Sequence, residues 1–210
     1  MSSDLIDEDY KLSSVVIPIF KDTNGDLSLI LTKRSETLKN HAGQISFPGG
    51  MYSESDRSLE ETGLREWEEE TGEPKEFIKI LGKYSEIKTR TGYQIVSYVG
   101  VYSGNFQFDL SEEVEYLFTV KFSEFFNLPF YTIEYKPHPP GFIYYFQHDV
   151  GLIWGATCEI ILQFLKDFLG FQRTPQQVKP NISTPPFFIP TGKKFYSDLK
   201  NRDNIYFRDF

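Results

Sequence analysis

The feature that most constrains this chain is the charged run REWEEETG at residues 65–72, which follows the turn FPGG at residues 47–50. A helix over residues 59–71 would advance about 100° per residue and bring three side chains onto one arc: Glu66, Glu69 and Glu70. Three like charges on one arc repel one another, and Arg65 can offset only part of that repulsion by pairing with Glu69. A hard divalent cation, which binds carboxylate oxygens and phosphates, would offset the remainder. The alternative is a solvated acidic helix face, which is common.

Alternating β-branched and aromatic segments on either side of this helix predict a sheet. We expect strands at residues 13–20, 27–32, 77–88, 94–102, 115–120, 131–135 and 142–147. The first two form a hairpin around the turn at residues 22–26, and the polar residues 35–46 form a loop over the site. One-sided apolar spacing predicts a packing helix over residues 156–169.

Residues 50–72 resemble the Nudix box, whose pattern is G-x5-E-x7-R-E-U-x-E-E-x-G-U with U an apolar residue. The second half is matched in order by Arg65, Glu66, Trp67, Glu69, Glu70 and Gly72. In the first half, Asp56 fills the early acidic position and one extra residue precedes Arg65. We interpret the extra residue as a longer loop before the helix, with Asp56 or Ser58 as the N-cap. Glu73 stands in the last apolar position.

A second stretch resembles the coenzyme A pyrophosphatase signature of the same superfamily, L-L-T-x-R-[SA]-x3-R-x3-G-x3-F-P-G-G. It begins at Ile30 and ends at Gly50, and every spacing holds. Ile30 replaces a Leu, and Lys39 replaces an Arg, which keeps the charge without the bidentate fork of a guanidinium. The motifs TGY at 91–93, EV at 113–114 and IWGAT at 153–157 extend the resemblance over most of residues 12–170.

The resemblance implies an α/β fold, a Nudix-type α/β/α sandwich around a mixed central sheet, with an irregular C-terminal extension. We expect an acidic N-terminal lead at residues 1–11, a Nudix hydrolase domain at 12–170 and a Pro- and aromatic-rich extension at 171–210. Five prolines in the extension disfavour a helix or central strand, whereas its aromatic residues are too many for an ordinary disordered tail. The extension would therefore pack across the domain or across a second subunit, which would make a homodimer.

By the same resemblance the chain is a Mg²⁺- or Mn²⁺-dependent hydrolase that splits coenzyme A or acyl-CoA into 3′,5′-ADP and phosphopantetheine or its acylated form. The metal ligands would be Glu66, Glu69 and Glu70. The catalytic residues would be Arg65 together with Glu69, Glu70 or Glu113 as the base, a choice that the sequence leaves open. The substrate would contact Lys33, Arg34, Ser35, Lys39, Gly43, Phe47, Gly49 and Gly50, and Phe47 or Tyr93 would stack on an adenine.

The sequence leaves two alternatives open. The same chemistry could act on another nucleoside diphosphate derivative, such as ADP-ribose or a dinucleoside polyphosphate. A Nudix-derived binding domain that has lost turnover is the other alternative, but the intact arginine and glutamates of residues 65–70 argue against it.

Composition and residue spacing argue against several other classes of protein. The 210 residues carry a net charge of −8, which disfavours binding to nucleic acid. The same charge is compatible with a small nucleotide as the substrate. The three histidines show no zinc-binding spacing. Cys158 has no partner for an internal disulfide, no stretch has the apolar length of a membrane span, and residues 1–9 lack a signal-peptide pattern. We therefore expect an intracellular, cytoplasmic enzyme with a buried, unreactive thiol.

Overall fold

The structure is a computed structural model that describes residues 10–135, 141–178 and 204–207. Its strands and α-helices are β1 (Lys11–Lys21), β2 (Leu27–Arg34), β3 (Ile45–Ser46), β4 (Gly49–Met51), α1 (Leu59–Thr71), β5 (Ile78–Lys88), β6 (Tyr93–Tyr102), β7 (Val114–Lys121), β8 (Phe130–Tyr135), β9 (Gly141–His148), β10 (Gly151–Trp154), α2 (Gly155–Leu169), β11 (Gln176–Val178) and β12 (Ile205–Phe207). Short 3₁₀ helices lie at Lys75–Phe77 and Phe122–Phe126.

The larger sheet has the order β12-β7-β2-β1-β6-β5, with β3 paired to β2 and β4 paired to β1. Strands β1 and β6 run parallel, whereas the other pairs in this sheet are antiparallel. The predicted β1–β2 hairpin is present. The side chain of Asp22 closes its turn by accepting hydrogen bonds from the N–H groups of Asn24 and Asp26, both at 2.9 Å. The mixed central sheet is confirmed.

Strand β2 is buried on both faces, and the two helices cover opposite sides of the sheet. Leu29 and Leu31 join the core that α2 packs on, whereas Ile30 joins a second core that contains Trp67 of α1. Alternate residues of a strand point to opposite faces, so a continuous apolar run such as this is typical of a strand covered on both sides. Trp67 is fully buried. The predicted layering of helix, sheet and helix is therefore confirmed.

A second, four-stranded sheet has the order β10-β9-β8-β11. The predicted strands at residues 131–135 and 142–147 correspond to β8 and β9, which pair at its centre. Phe130, Phe146 and Ile153 pack with α2 into the same core as Leu29. The sequence did not predict this separate sheet, because β10 and β11 are too short to show a period. Cys158 of α2 is a buried free thiol, and burial raises the pKa of that thiol.

The described parts of the C-terminal extension are more regular than predicted. Strand β11 pairs with β8, and β12 pairs with β7, each at the edge of its sheet. Edge strands tolerate nearby prolines because one side of the strand makes no ladder hydrogen bonds. The predictions for most of the acidic lead, for the loop at His138 and for the remainder of the extension lie outside the described residues. Neither described helix combines the length and apolar character needed to cross a lipid bilayer.

Candidate active site

Helix α1 has the bounds that the sequence predicted, and both of its ends are capped. Of the two predicted N-caps, Ser58 is the one used, since its Oγ accepts the N–H of Glu61 at 3.1 Å. Gly72 ends the helix in the left-handed region with φ 69°, and its N–H donates to the carbonyl oxygen of Glu68 at 2.9 Å. These caps fix where the helix begins and ends.

Arg65 is the centre of a charged network at the start of that face. Its Nε and Nη2 donate to the two carboxylate oxygens of Asp56 at 2.9 and 3.1 Å. Its Nη1 lies 2.9 Å from both Glu66 Oε1 and Glu69 Oε2, which includes the predicted i, i+4 pair. Nη2 also donates to the carbonyl oxygen of Met51 at 3.1 Å. Arg65 thus orients two of the three predicted metal ligands.

Asp56 has a larger role than the sequence indicated. It is buried, and besides Arg65 it accepts hydrogen bonds from the N–H of Ser53 at 3.0 Å and from Thr62 Oγ1 at 2.9 Å. Hydrogen bonding from Arg65, with smaller contributions from Ser53 and Thr62, outweighs burial and lowers the pKa of Asp56 from 3.8 to about 2. The extra residue before α1 therefore leaves the early acidic position in contact with the arginine.

Glu70 is the most buried carboxylate of the acidic face. Its Oε2 accepts the N–H of Gly49 at 3.3 Å, and its Oε1 lies 3.4 Å from Arg34 Nη1. Burial raises the pKa of Glu70 to about 8, against the opposing effect of Arg34. The backbone at Gly49 has φ 153°, and a Cβ there would overlap the carbonyl oxygen of Ser14. Only glycine allows the turn to lie this close to the backbone of β1, in the position from which its N–H reaches Glu70.

Gly50 provides the corresponding space for Glu66. A Cβ at Gly50 would overlap the Glu66 carboxylate, so the second glycine is needed for that side chain to lie against the turn. Burial also raises the pKa of Glu66, and the nearby charges of Glu69 and Glu113 add to the increase. The FPGG turn and the acidic helix therefore form one structural unit.

Arg34 connects this unit to the end of β2 and the start of β7. Its Nη2 lies 3.2 Å from Glu113 Oε2 while its Nη1 faces Glu70, so one guanidinium bridges the two carboxylates. The pairing of Arg34 with Val114 in the β2–β7 ladder brings Glu113 to this position. The N–H of Ser35 donates to the carbonyl oxygen of Glu113 at 2.8 Å. Glu113, the distant candidate base, thus belongs to the same site.

The donor set fits a divalent cation. Glu66 and Glu70 are close enough that the charge of Glu66 raises the pKa of Glu70, and Glu113 adds to the pKa of both. Carboxylate oxygens are the ligands that Mg²⁺ and Mn²⁺ prefer. Within residues 10–135, 141–178 and 204–207, however, no three His, Cys, Asp or Glu side chains already surround one point. Glu69 faces Arg65 and would have to turn away to complete the set.

The predicted substrate residues occupy different environments. Lys33 is buried beside Glu36 and Glu115, with its Nζ 2.9 and 3.0 Å from their carboxylates. Phe47 is buried in the core, so its ring has no exposed face on which an adenine could stack. Lys39 lies exposed on the loop of residues 35–44. Among the predicted contacts, Arg34, Gly49 and Gly50 adjoin the carboxylates, whereas Lys33 and Phe47 point elsewhere.

The remaining predicted contacts help to shape that loop. Ser35 Oγ lies 2.8 Å from Thr37 Oγ1, and Gly43 has φ 66°. His41 also has a positive φ, 57°, and its ring meets Tyr93 edge to face at 6.1 Å. His41, in the loop of the signature, and Tyr93, of the TGY motif, are therefore brought together. The spacing of the motifs gave no indication of this contact.

Comparison with known families agrees with this geometry. The model described as the NUDIX domain matches residues 10–139, more than half of the chain. The chain belongs to the Nudix family. It is similar to the protein named "Uncharacterized Nudix hydrolase NudL" of Pectobacterium atrosepticum, with 36% identity over 155 residues covering 72% of this chain and 79% of the relative. The protein of the same name from Yersinia pestis strain Pestoides F is 35% identical over 153 residues, 71% of this chain and 75% of the relative.

Solved structures support the Nudix fold. A Nudix hydrolase from Nitrosomonas europaea superposes with a TM-score of 0.53 at 13% identity, over 81% of this chain and 80% of the other. A MutT/Nudix family protein from Enterococcus faecalis gives a TM-score of 0.51 at 16% identity, over 79% and 64% of the two chains. Membership of the family makes the chain a Nudix pyrophosphohydrolase acting on a nucleoside diphosphate derivative, and Nudix hydrolases generally use divalent metal ions.

Proposed function

We propose that this Nudix hydrolase cleaves the pyrophosphate bond of coenzyme A or acyl-CoA, giving 3′,5′-ADP and phosphopantetheine or its acylated form. The observation that carries the proposal is the bridge made by Arg34. This arginine belongs to the stretch that resembles the coenzyme A pyrophosphatase signature, and it contacts Glu70 of the Nudix helix and Glu113. The residues of the signature and of the Nudix box thus support a single site.

The roles follow from the charges around a diphosphate. Mg²⁺ or Mn²⁺ held by Glu66 and Glu70, with Glu69 turned toward them, would neutralise phosphate charge and favour attack by water. Arg34 would pair with a phosphate oxygen through the guanidinium that now contacts Glu70 and Glu113. Lys39 would attract a further phosphate, such as the 3′-phosphate of coenzyme A, from the exposed loop.

The candidate bases differ in their access to water. Glu70 is buried and accepts the N–H of Gly49, whereas Glu69 and Glu113 each expose more than half of the side chain, 58% in both cases. Glu69 is held by Arg65 on the helix, and Glu113 is held by Arg34 just before β7. We assign Glu113 as the base that accepts a proton from the attacking water, because its side chain is exposed and lies beside Glu70.

A substrate panel tests the specificity. The purified protein is incubated with coenzyme A, acetyl-CoA, ADP-ribose, NADH, diadenosine polyphosphates and nucleoside triphosphates, with and without Mg²⁺ or Mn²⁺. We expect the highest kcat/KM for coenzyme A or acetyl-CoA and loss of turnover with chelator. A clear preference for ADP-ribose or a dinucleoside polyphosphate would overturn the assignment to coenzyme A and leave the family chemistry intact.

Carboxamide variants test the assigned site. Glu69→Gln, Glu70→Gln and Glu113→Gln should each lower kcat by about two orders of magnitude or more while the unfolding transition is retained. Glu68→Gln is the matched control, because Glu68 lies on the same helix with its side chain exposed. Full activity in Glu113→Gln would mean that Glu69 or Glu70 is the base. Full activity in all three variants would mean that the metal ion binds elsewhere.

A further inference from the structure

Lys33 is a buried charge with a specific set of partners. Its side chain is only 8% exposed, and its Nζ lies 2.9 Å from Glu36 Oε1, 3.0 Å from Glu115 Oε2 and 5.6 Å from the centre of the Tyr116 ring. A buried ammonium is costly unless it is paired, and here two carboxylates and an aromatic face compensate for its burial. The ammonium is therefore committed to protein groups, although the next residue along β2 is Arg34 of the active site.

One of these partners connects Lys33 to the loop of residues 35–44. The Glu36 carboxylate occupies the space beside Gly43, where a Cβ would overlap it. The ends of the loop are closed by a hydrogen bond of 2.9 Å from the N–H of Arg34 to the carbonyl oxygen of Gln44. Glu36 thus lies against Gly43 at the far end of the loop, with 61% of its side chain exposed, and Lys33 links it to Glu115 near the start of β7.

We propose that Lys33 is a positioning residue that fixes the loop of residues 35–44 through Glu36 and thereby places Lys39 and His41 over the substrate. The role concerns KM more than kcat, because Lys33 acts on residues that would contact the distal part of the substrate. The part that concerns substrate affinity rests on the proposed function. The fixing of the loop rests only on the contacts of Lys33.

The variant Glu36→Gln separates positioning from direct binding. If Lys33 bound a phosphate itself, removal of the Glu36 charge would leave the ammonium more available, and KM would be unchanged or lower. If Lys33 acts through Glu36, the same substitution loosens the loop and raises KM. The two roles therefore predict opposite changes from one substitution that leaves Lys33 in place.

The kinetic experiment compares Lys33→Met, Glu36→Gln and the double variant on the best substrate of the panel. We expect each single variant to raise KM about tenfold with kcat within about threefold, and the double variant to be no worse than either, because both act through one contact. Lys83→Met is the matched control, since Lys83 and Glu86 form another i, i+3 pair at 3.0 Å on β5. We expect it to leave both constants unchanged.

Limited trypsin digestion gives a readout that does not need turnover. Cleavage after the exposed Lys39 should be about tenfold faster in Lys33→Met and Glu36→Gln than in the parent or Lys83→Met, because a loosened loop opens more often. If Lys33→Met does not fold, trypsin digestion of Glu36→Gln and Gly43→Ala decides whether the loop is fixed through Glu36. Unchanged cleavage and unchanged KM in Glu36→Gln would overturn the proposal. Absence of turnover on every substrate would overturn the proposed function, and the digestion would still test the role of Lys33.

Discussion

Asp56 shows how a single residue controls the geometry of the Nudix helix. It holds Arg65 by two hydrogen bonds, and Arg65 in turn holds Glu66 and Glu69. Asp56→Asn would remove the charge that compensates the arginine, so we expect the free energy of unfolding to fall by about 2 kcal/mol. We also expect kcat to fall, because Arg65 would lose its orientation. Urea unfolding and steady-state kinetics measure the two effects.

The lowered pKa of Asp56 adds a pH dependence. The carboxylate has a pKa of about 2 in the folded chain and 3.8 as its ordinary value. Its contribution to stability is therefore complete above the unfolded-state pKa and is lost as pH falls from about 4 toward about 2. The Asp56→Asn variant should not show this loss of unfolding free energy as the pH falls. Equal slopes of unfolding free energy against pH in the two proteins below about pH 4 would contradict the assignment.

Residue-scale predictions from sequence succeeded where contacts are local. The i, i+4 pair of Arg65 and Glu69 follows from helical spacing alone. The contact between Lys33 and Glu115 spans 82 positions in the sequence and depends on the register of β2 with β7. No local pattern encodes that register, so the sequence alone predicts a substrate contact for Lys33, which adjoins the signature arginine.

At the scale of elements, the end of α1 depends on more than its capping glycine. A Cβ at Gly72 would overlap the backbone of Asp109, whose N–H donates to the carbonyl oxygen of Thr71 at 2.9 Å. Gly72→Ala should therefore cost about 3 kcal/mol, part from the left-handed φ and part from displacement of residues 109–111. Gly170→Ala is the matched control, because Gly170 caps α2 with φ 66° and has open space around it.

The control separates backbone strain from the clash. Gly170→Ala carries only the strain, so we expect a loss of about 1 kcal/mol and unchanged kcat. Gly72→Ala should lower kcat as well, since the N–H of Ser111 donates to the carbonyl oxygen of Glu70 at 3.1 Å and moves with the displaced segment. Thermal unfolding and kcat of both variants test this, and equal losses would show that residues 109–111 do not brace the helix.

The elements that sequence predicted best are those with a long period or clear caps. Helix α1, helix α2 and the β1–β2 hairpin were predicted within a few residues, because apolar spacing and turn residues mark them. Strands β10, β11 and β12 have four, three and three residues. Such segments become strands because a neighbouring edge accepts their hydrogen bonds, which is a property of the assembled sheet.

At the scale of the whole molecule, the last described strand is connected to the catalytic helix. Strand β12 pairs with β7, and the Tyr206 ring lies 5.6 and 5.1 Å from the rings of Phe106 and Phe108. Gln107 lies between these two residues in the sequence, and its N–H donates to Oε1 of Glu73 at 2.9 Å. Glu73 follows the capping glycine of α1. Glu73, which stands where the Nudix pattern has an apolar residue, therefore anchors this segment.

Tyr206→Ala tests whether the C-terminal strand belongs to the working enzyme. Loss of the ring would remove its contacts with Phe106 and Phe108, so we expect the free energy of unfolding to fall by about 3 kcal/mol. We also expect lower kcat, because the segment of residues 106–111 braces the end of α1. Tyr206→Phe retains the ring contacts and should keep most of both quantities. Parent-like urea unfolding and kcat in Tyr206→Ala would mean that the strand lies on the domain without supporting the catalytic helix.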